Sequence, residues 1–477
     1  MANINRRRFL QSSSAMGFAA GTGLLAAMGS SSAFAADTSG YKALVCVFFK
    51  GGMDSLDLIL PKDAASHQAL ADIRPGLFGA YGVGSGASSR DRDNILKINP
   101  SNNAEFGGRE FGFAPEMSSL QGLFEAGNAA IVGNVGPLIE PTTRTTMDNF
   151  SAQIPDRLFS HNDQQSTWMS FGTEGAQSGW GGRFMEAALQ GDSLSNPVFA
   201  AVSTSGNDIF LSGDGVRQFS APSNPQSADI LRQKWRLGSG YHSDAARAVI
   251  RDHLASVDVT SKNLYHQDMI GVNRRAIENV ETYKEAIEGG LSLSTEFPAS
   301  KLGEQLQTVA NTIAVRGALN VRRQIFFVSI GGFDTHDNQK NSMPVLQAQI
   351  STSIAAFQAA MVELGLADSV TLFTGSDFGR TAIDNGDGTD HGWGAHHLVV
   401  GGAVQGKKIY GTLPEYDLGA ESYTNSRGRL IPSVSVEQYA ATLGGWFGLD
   451  QGELNEALPN LSNFSQKDLG FFSSGSS

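Results

Sequence analysis

Cysteine is all but missing from this chain: Cys46 is the only one among 477 residues. A single thiol excludes a disulfide framework and any zinc site built on cysteines. Basic residues are in deficit, with 35 Lys and Arg against 47 Asp and Glu and a formal charge of −12. No basic stripe is present, which argues against a nucleic-acid partner. Hydrophobic residues at 40% and charged residues at 17% exclude both a disordered chain and a polytopic membrane protein. No Walker loop, H-E-x-x-H or G-x-S-x-G is present, and Gly82-Val83-Gly84-Ser85-Gly86 reads as a loop, not a dinucleotide fingerprint.

Glycine is abundant instead. The 56 glycines are about 12% of the chain, against an average near 7%. Such an excess points to tight turns and close backbone approaches in a loop-rich α/β fold.

The first 35 residues read as an address. Arg6-Arg7-Arg8-Phe9-Leu10 precedes a short Ala- and Gly-rich apolar stretch, Ala15 to Met28, and the cleavage pattern Ala33-Phe34-Ala35. This is the plan of a twin-arginine secretory signal, with a stretch too short and Gly-rich for a stable membrane span. Without the three arginines the mature chain carries −15. The expected destination is the periplasm or the exterior, and residues 36–477 are read as one domain.

Apolar runs at Tyr41–Phe49, Ala129–Gly136, Gln324–Ile330 and Ser369–Thr374 read as buried strands, with Leu398–Val400 and Lys408–Tyr410 as further ones. Helical patterns at Met117–Ala126 and Met343–Leu364 alternate with them. The expectation is a mostly parallel central sheet with helices on both faces. Residues 226–322 read as a helical insertion or flank, with helices at Ala228–Leu237, Ser243–Ser256, Ser261–Glu288 and Ser300–Asn320. In such sheets chemistry sits on loops at the carboxyl ends of strands.

Those loops are rich in ligand types. Gly51-Gly52-Met53-Asp54 follows the first run, and Gly331-Gly332-Phe333-Asp334-Thr335-His336 follows the third on the same plan. Carboxylate and imidazole together suit a divalent cation. The plainer alternatives are a helix-capping Asp54 and a structural Asp334–His336 hydrogen bond. Asp377 stands after the fourth run, with Arg380 placed either to bind an oxyanion or to pair with Asp377. Asp384 to His397 holds three of the nine histidines within seven residues, and its Asp390-His391 and His396-His397 pairs favour a transition metal over a polar surface hairpin. An EF-hand is excluded, because its closing Glu would fall on Ala395. Ser160 sits where a helix N-cap belongs, a place that favours an alkoxide nucleophile or an anion as well as a plain cap. Thr142, Thr143, Thr145 and Thr146 are rival hydroxyls.

Taken together, the twin-arginine signal, Phe49–Asp54, Ser160-His161, Gly179–Arg183, Gly332–His336, Ser376–Thr381, Asp390–His397 and Gly428–Pro432 resemble the DUF1501 family of exported bacterial proteins. That family is similar in turn to the alkaline phosphatase/sulfatase superfamily. The resemblance implies a sheet whose strand ends hold one or two divalent metals, zinc among the candidates, with a hydroxyl or formylglycine nucleophile between them. By that likeness Asp54, Asp334, His336, Asp377, Asp390, His391 and His396 are the candidate ligands, Ser160 the nucleophile, and Arg380 or Arg183 the oxyanion partner. The histidine that the superfamily has after its Asp is Phe378 here, leaving Asp390 or His391 to replace it. Formylglycine chemistry is excluded, because Cys46 lies in the first strand. The expected function is metal-dependent hydrolysis of a small phosphate or sulfate ester; the alternative is an exported binding or assembly protein on the same fold.

Overall fold

Alternation along one strand sets the two-sided core. In Lys42–Lys50 the residues Ala43, Val45, Val47 and Phe49 join one apolar cluster, and Leu44, Cys46 and Phe48 join the other. Successive side chains of a strand point to opposite faces, so an unbroken apolar run requires a cover on each side. The computed structural model describes residues 36–37, 39–82, 89–192, 195–222, 249, 252 and 263–473. The signal segment 1–35, the expected helix Ala228–Leu237 and nearly all of Ser243–Ser256 lie outside the described residues.

In chain order the strands are β1 Lys42–Lys50, β2 Ile59–Pro61, β3 Leu96–Lys97, β4 Phe111–Phe113, β5 Ala129–Gly136, β6 Ala201–Ser203, β7 Phe219–Ser220, β8 Arg323–Gly331, β9 Val370–Ser376, β10 Arg380–Asp384, β11 Thr389–His391, β12 Ala395–Val400, β13 Ile409–Gly411 and β14 Val434–Ser435. Nine of them form the central sheet, in the order β13-β5-β12-β9-β1-β8-β6-β7, with β14 also paired to β5. Every pairing in it is parallel except the two made by β12. The mixed, mostly parallel α/β sheet read from the sequence is therefore present. β12 is the exception that matters, because its reversed direction puts its amino end at the rim where β1, β8 and β9 finish.

One face is covered by helices Ser118–Glu125, Lys301–Ala314 and Gln339–Glu363, through Leu120, Leu306, Ile313, Ile350 and Phe357 among others. Lys301–Ala314, read as part of an insertion or flank, is thus a layer of the core. Helices His161–Ser170, Trp180–Gly191 and Val436–Phe447 cover the other face, through Trp168, Phe184 and Tyr439. Each such side chain contributes about 1.5–3 kcal/mol when fully buried.

Helix His161–Ser170 is seated closely. Trp168 meets Phe48 edge-on at 5.3 Å, and Trp180 Nε1 donates to the Trp168 carbonyl at 3.1 Å. Gly375 makes room, since a Cβ there would come within 2.5 Å of the Trp168 ring. This packing fixes the amino end of the helix, with His161, against the sheet rim.

Candidate metal centre

Three strand-end segments and one helix start converge at that rim. Asp334 and His336 follow β8, Asp377 follows β9, Asp390 and His391 end β11 ahead of the reversed β12, and His161 opens its helix. The approach of the β8 loop to the β1 loop needs glycine: a Cβ on Gly51, at φ +116°, would lie 2.6 Å from the Asp334 nitrogen. Positive φ at Arg157, Phe159, Asn338 and Arg427 marks the same neighbourhood. Non-glycine residues persist in that region only where surrounding structure holds them.

One oxygen is the centre. Asp334 Oδ1 lies 3.4 Å from His161 Nε2, 3.2 Å from His336 Nε2, 3.4 Å from His391 Nε2 and 3.0 Å from an Arg380 terminal nitrogen. Zinc bonds of about 2.0–2.1 Å give a tetrahedral edge of about 3.3–3.4 Å. The His161 and His391 spacings match that edge, and the His336 spacing is slightly shorter. The ligand atoms of His161, Asp334 and His391 lie within 4.8 Å of one another, with His336 on the solvent side.

The other ring nitrogens decide the tautomers. His161 Nδ1 donates to Asp377 Oδ2 at 2.7 Å, His391 Nδ1 to the Phe159 carbonyl at 2.8 Å, and His336 Nδ1 to Asp390 Oδ1 at 3.2 Å. With Nδ1 protonated in each, the neutral rings turn three Nε2 lone pairs toward a carboxylate. This arrangement of imidazole donating outward to oxygen is the usual outer support of metal-binding histidines. His336 Nε2 and His391 Nε2 stand 2.9 Å apart, so a proton or a cation must bridge them. The hydrogen bond that His161 donates to Asp377 raises the pKa of His161, whereas burial lowers those of His336 and His391 and favours their neutral, ligating forms. Burial alone would raise Asp334, but the Arg380 guanidinium and His161 outweigh it and hold the carboxyl below its ordinary value. The donor set therefore fits a divalent first-row metal.

Arg380 supplies the polar back wall. It is buried, its one bond reaches Asp334, and its Nε and second terminal nitrogen have no partner among the described residues. It does not pair with Asp377, whose Oδ2 is taken by Gly51 N, His161 Nδ1 and Gln165 Nε2. Arg183 lies elsewhere, donating to the carbonyls of Ser178, Ser170 and Ala457.

Five site expectations need correction. Asp54 does not reach the centre: both its oxygens are held by Arg74, at 2.7 and 3.0 Å, and Gln339 Nε2 donates to one of them at 2.7 Å. His396 is buried inside β12, where its Nδ1 accepts from Asn134 N at 3.0 Å, which uses the atom a cation would need. Ser160 caps the helix by position but donates its hydroxyl to Asp163 at 2.9 Å, and its neighbour His161 is the residue that enters the cluster. Asp377 and Asp390, expected as ligands, instead stand behind His161 and His336 as their hydrogen-bond acceptors. The Asp384–His391 segment is indeed a polar hairpin, β10 with β11, yet it delivers His391 all the same. His161 was the ligand-type residue passed over in the sequence; its adjacency to Ser160 within the Ser-His motif was the available signal.

A family model described as "Protein of unknown function (DUF1501)" matches residues 41–458. The chain belongs to the DUF1501 family. No curated protein matches this DUF1501 chain. Among solved structures it is similar to the C-terminal periplasmic domain of EcEptC from Escherichia coli, at 9% identity and TM-score 0.36, covering 89% of this chain and 87% of that one. It is also similar to the lipoteichoic acid synthase LtaP from Listeria monocytogenes, at 8% identity, TM-score 0.31 and coverages of 86% and 73%. A third is PsFucS1 sulfatase from Pseudoalteromonas sp., at 12% identity, TM-score 0.28 and coverages of 80% and 66%. The chemistry of the DUF1501 site rests on its own side chains.

Proposed function

We propose that this protein is an exported, metal-dependent hydrolase of small phosphate or sulfate esters, delivered to the periplasm or exterior by its twin-arginine segment. The observation that carries the reading is the convergence of three Nε2 atoms on Asp334 Oδ1 beside a buried arginine with unpartnered N–H groups. His161, Asp334 and His391 would hold a divalent cation, with zinc the favoured identity, and His336 completes the set from the solvent side. Such a cation supplies Lewis-acid polarisation of an ester oxygen and lowers the pKa of water.

The protein groups supply the rest. Arg380 offers two N–H donors to the non-bridging oxygens of a phosphoryl or sulfuryl group, where charge develops in the transition state. Asp377 and Asp390 hold His161 and His336 in the ligating tautomer. Local donors of this kind are needed because a chain of net charge −12 does not draw anionic substrates by its overall field. Water provides the nucleophile.

The test is metal analysis of protein purified without chelator, followed by aryl phosphate and aryl sulfate hydrolysis. About one ion per chain and measurable turnover are expected, and Asp334→Asn should lose the ion and at least ~100-fold in rate. Wild-type protein that stays metal-free and inactive after incubation with Zn²⁺ or Mn²⁺ overturns the reading.

A further inference from the structure

We infer that Gln339 is a positioning residue that sets the spacing of the ligand cluster, acting through Thr335 and Thr389; this rests on the metal-centre reading above. Gln339 opens helix Gln339–Glu363 and is fully buried. Its Oε1 accepts from the Thr335 hydroxyl at 3.0 Å and from the Thr389 hydroxyl at 2.9 Å. Its Nε2 donates to Asp54 Oδ2 at 2.7 Å. Thr335 stands between Asp334 and His336, and Thr389 directly precedes Asp390 and His391. One amide thus ties together the two segments that carry three of the four cluster residues. A backbone bond, Thr389 N to the Thr335 carbonyl at 2.9 Å, joins them at the same point. Gly388 permits the approach, since a Cβ there would fall 2.4 Å from the His336 carbonyl.

Behind Gln339 the chain continues. Asp54 is gripped by Arg74, whose remaining N–H groups donate to the Thr381 carbonyl at 2.7 Å and the Ala382 carbonyl at 2.8 Å, just beyond Arg380. The buried Asp54–Arg74–Gln339 chain therefore touches all three segments that bring Asp334, Arg380 and His391 together. An amide is the group this junction calls for. Its oxygen serves two hydroxyl donors while its N–H serves a carboxylate. Glutamate would set a second carboxylate against Asp54, and methionine offers neither function.

The experiment titrates the full-length protein with Zn²⁺ and, separately, records the visible absorption of bound Co²⁺, which reports ligand geometry without reference to turnover. Gln339→Met should weaken Zn²⁺ binding about 10–100-fold and alter the Co²⁺ spectrum. Thr389→Val should weaken binding in the same direction, and Thr389→Ser, which keeps the hydroxyl, should restore wild-type affinity and spectrum. Thermal melts identify variants that fold. If Gln339→Met does not fold, the Thr389→Val and Thr389→Ser pair decides. Wild-type affinity and spectrum in Gln339→Met or Thr389→Val, with binding lost in Asp334→Asn, would overturn the role of Gln339 and leave the metal centre standing. No binding by wild type would overturn the metal centre and the role of Gln339 with it.

Discussion

Asp54 and Asp334 begin as equals and end as opposites. Each follows a parallel strand of the same sheet, and each sits in a Gly-Gly-x-Asp run. The register pairs Lys50 with Gly331, so Asp54 stands four residues past its paired position and Asp334 three. Both aspartates lie beyond their strands, where the chain turns differently: Gly51 and Gly52 both have positive φ, whereas in the second loop only Gly332 does. Asp54 turns inward, fully buried against Arg74. Asp334 turns outward, its side chain 48% exposed, and meets three imidazoles. One carboxylate ties the loops together and the other is left for a ligand. The lesson is that residue type at a strand end nominates a site, whereas the partner in space decides between scaffold and ligand.

The sharpest way to break the comparison is to neutralise each carboxylate without changing its shape. Asp54→Asn leaves the fully buried Arg74 guanidinium without its counter-charge, a loss of about 3–5 kcal/mol for a buried pair. Asp334→Asn removes a half-exposed charge but also takes the counter-charge from the buried Arg380 guanidinium, so it should destabilise less than Asp54→Asn, where both partners are fully buried, while abolishing metal binding. Urea denaturation and metal titration on both variants give the crossed pattern. Equal destabilisation by the two would remove the distinction between scaffold and ligand.

Histidines divide along the same line. His396 and His397 lie inside β12, and burial pushes both down to about 3. His397 is stacked 6.1 Å from Tyr439, with Trp168 at 6.2 Å. The folded-state pKa is depressed, so in the window from about 6.5 down to about 3 the unfolded chain binds protons that the folded chain does not. The stability in question is complete above the unfolded value and is lost as pH falls through that window. Each such histidine contributes a slope of about 1.4 kcal/mol per pH unit, or about 2 kcal/mol by pH 5. His397→Gln should flatten the acid limb by that amount, read from denaturant midpoints between pH 7 and 5. His336→Gln, at a side chain 45% exposed, should change it far less. An acid limb unaltered in His397→Gln would count against a neutral buried imidazole.

Much of this arrangement was legible beforehand, and the failures have physical causes. Tyr41–Phe49 and Gln324–Ile330 announced the central strands because a strand buried on both faces must be continuously apolar. Asp334, His336 and His391 stood out because they cluster in loops after such runs. β12 did not reveal its direction, since an apolar run reads the same both ways. That hid the reason why His391 reaches the rim while His396 and His397 go into the core. Asp54 was misread because Arg74 lies across the next helix, and nothing local shows that a buried guanidinium closes on it. His161 was overlooked because its acceptor, Asp377, is 216 residues away and only the fold brings them together.

Phe378 makes the finest test, since it directly follows Asp377 and its ring packs against two of the cluster imidazoles. It is buried, with ring centroids 4.7 Å from His161 and 4.8 Å from His391, tilted by 33° and 35°. Gly52, at φ +78°, makes the notch that admits it, since a Cβ there would lie 2.3 Å from the ring. The ring thus packs against both imidazoles, and its service is to limit their rotation. Offset aromatic contacts of this kind contribute about 0.5–1.5 kcal/mol each. Phe378→Ala should therefore weaken Zn²⁺ binding by about tenfold, the equivalent of about 1.4 kcal/mol, with His161 and His391 still present. Unchanged affinity in that variant would mean that the hydrogen bonds from Nδ1 to Asp377 and to the Phe159 carbonyl hold the two rings unaided.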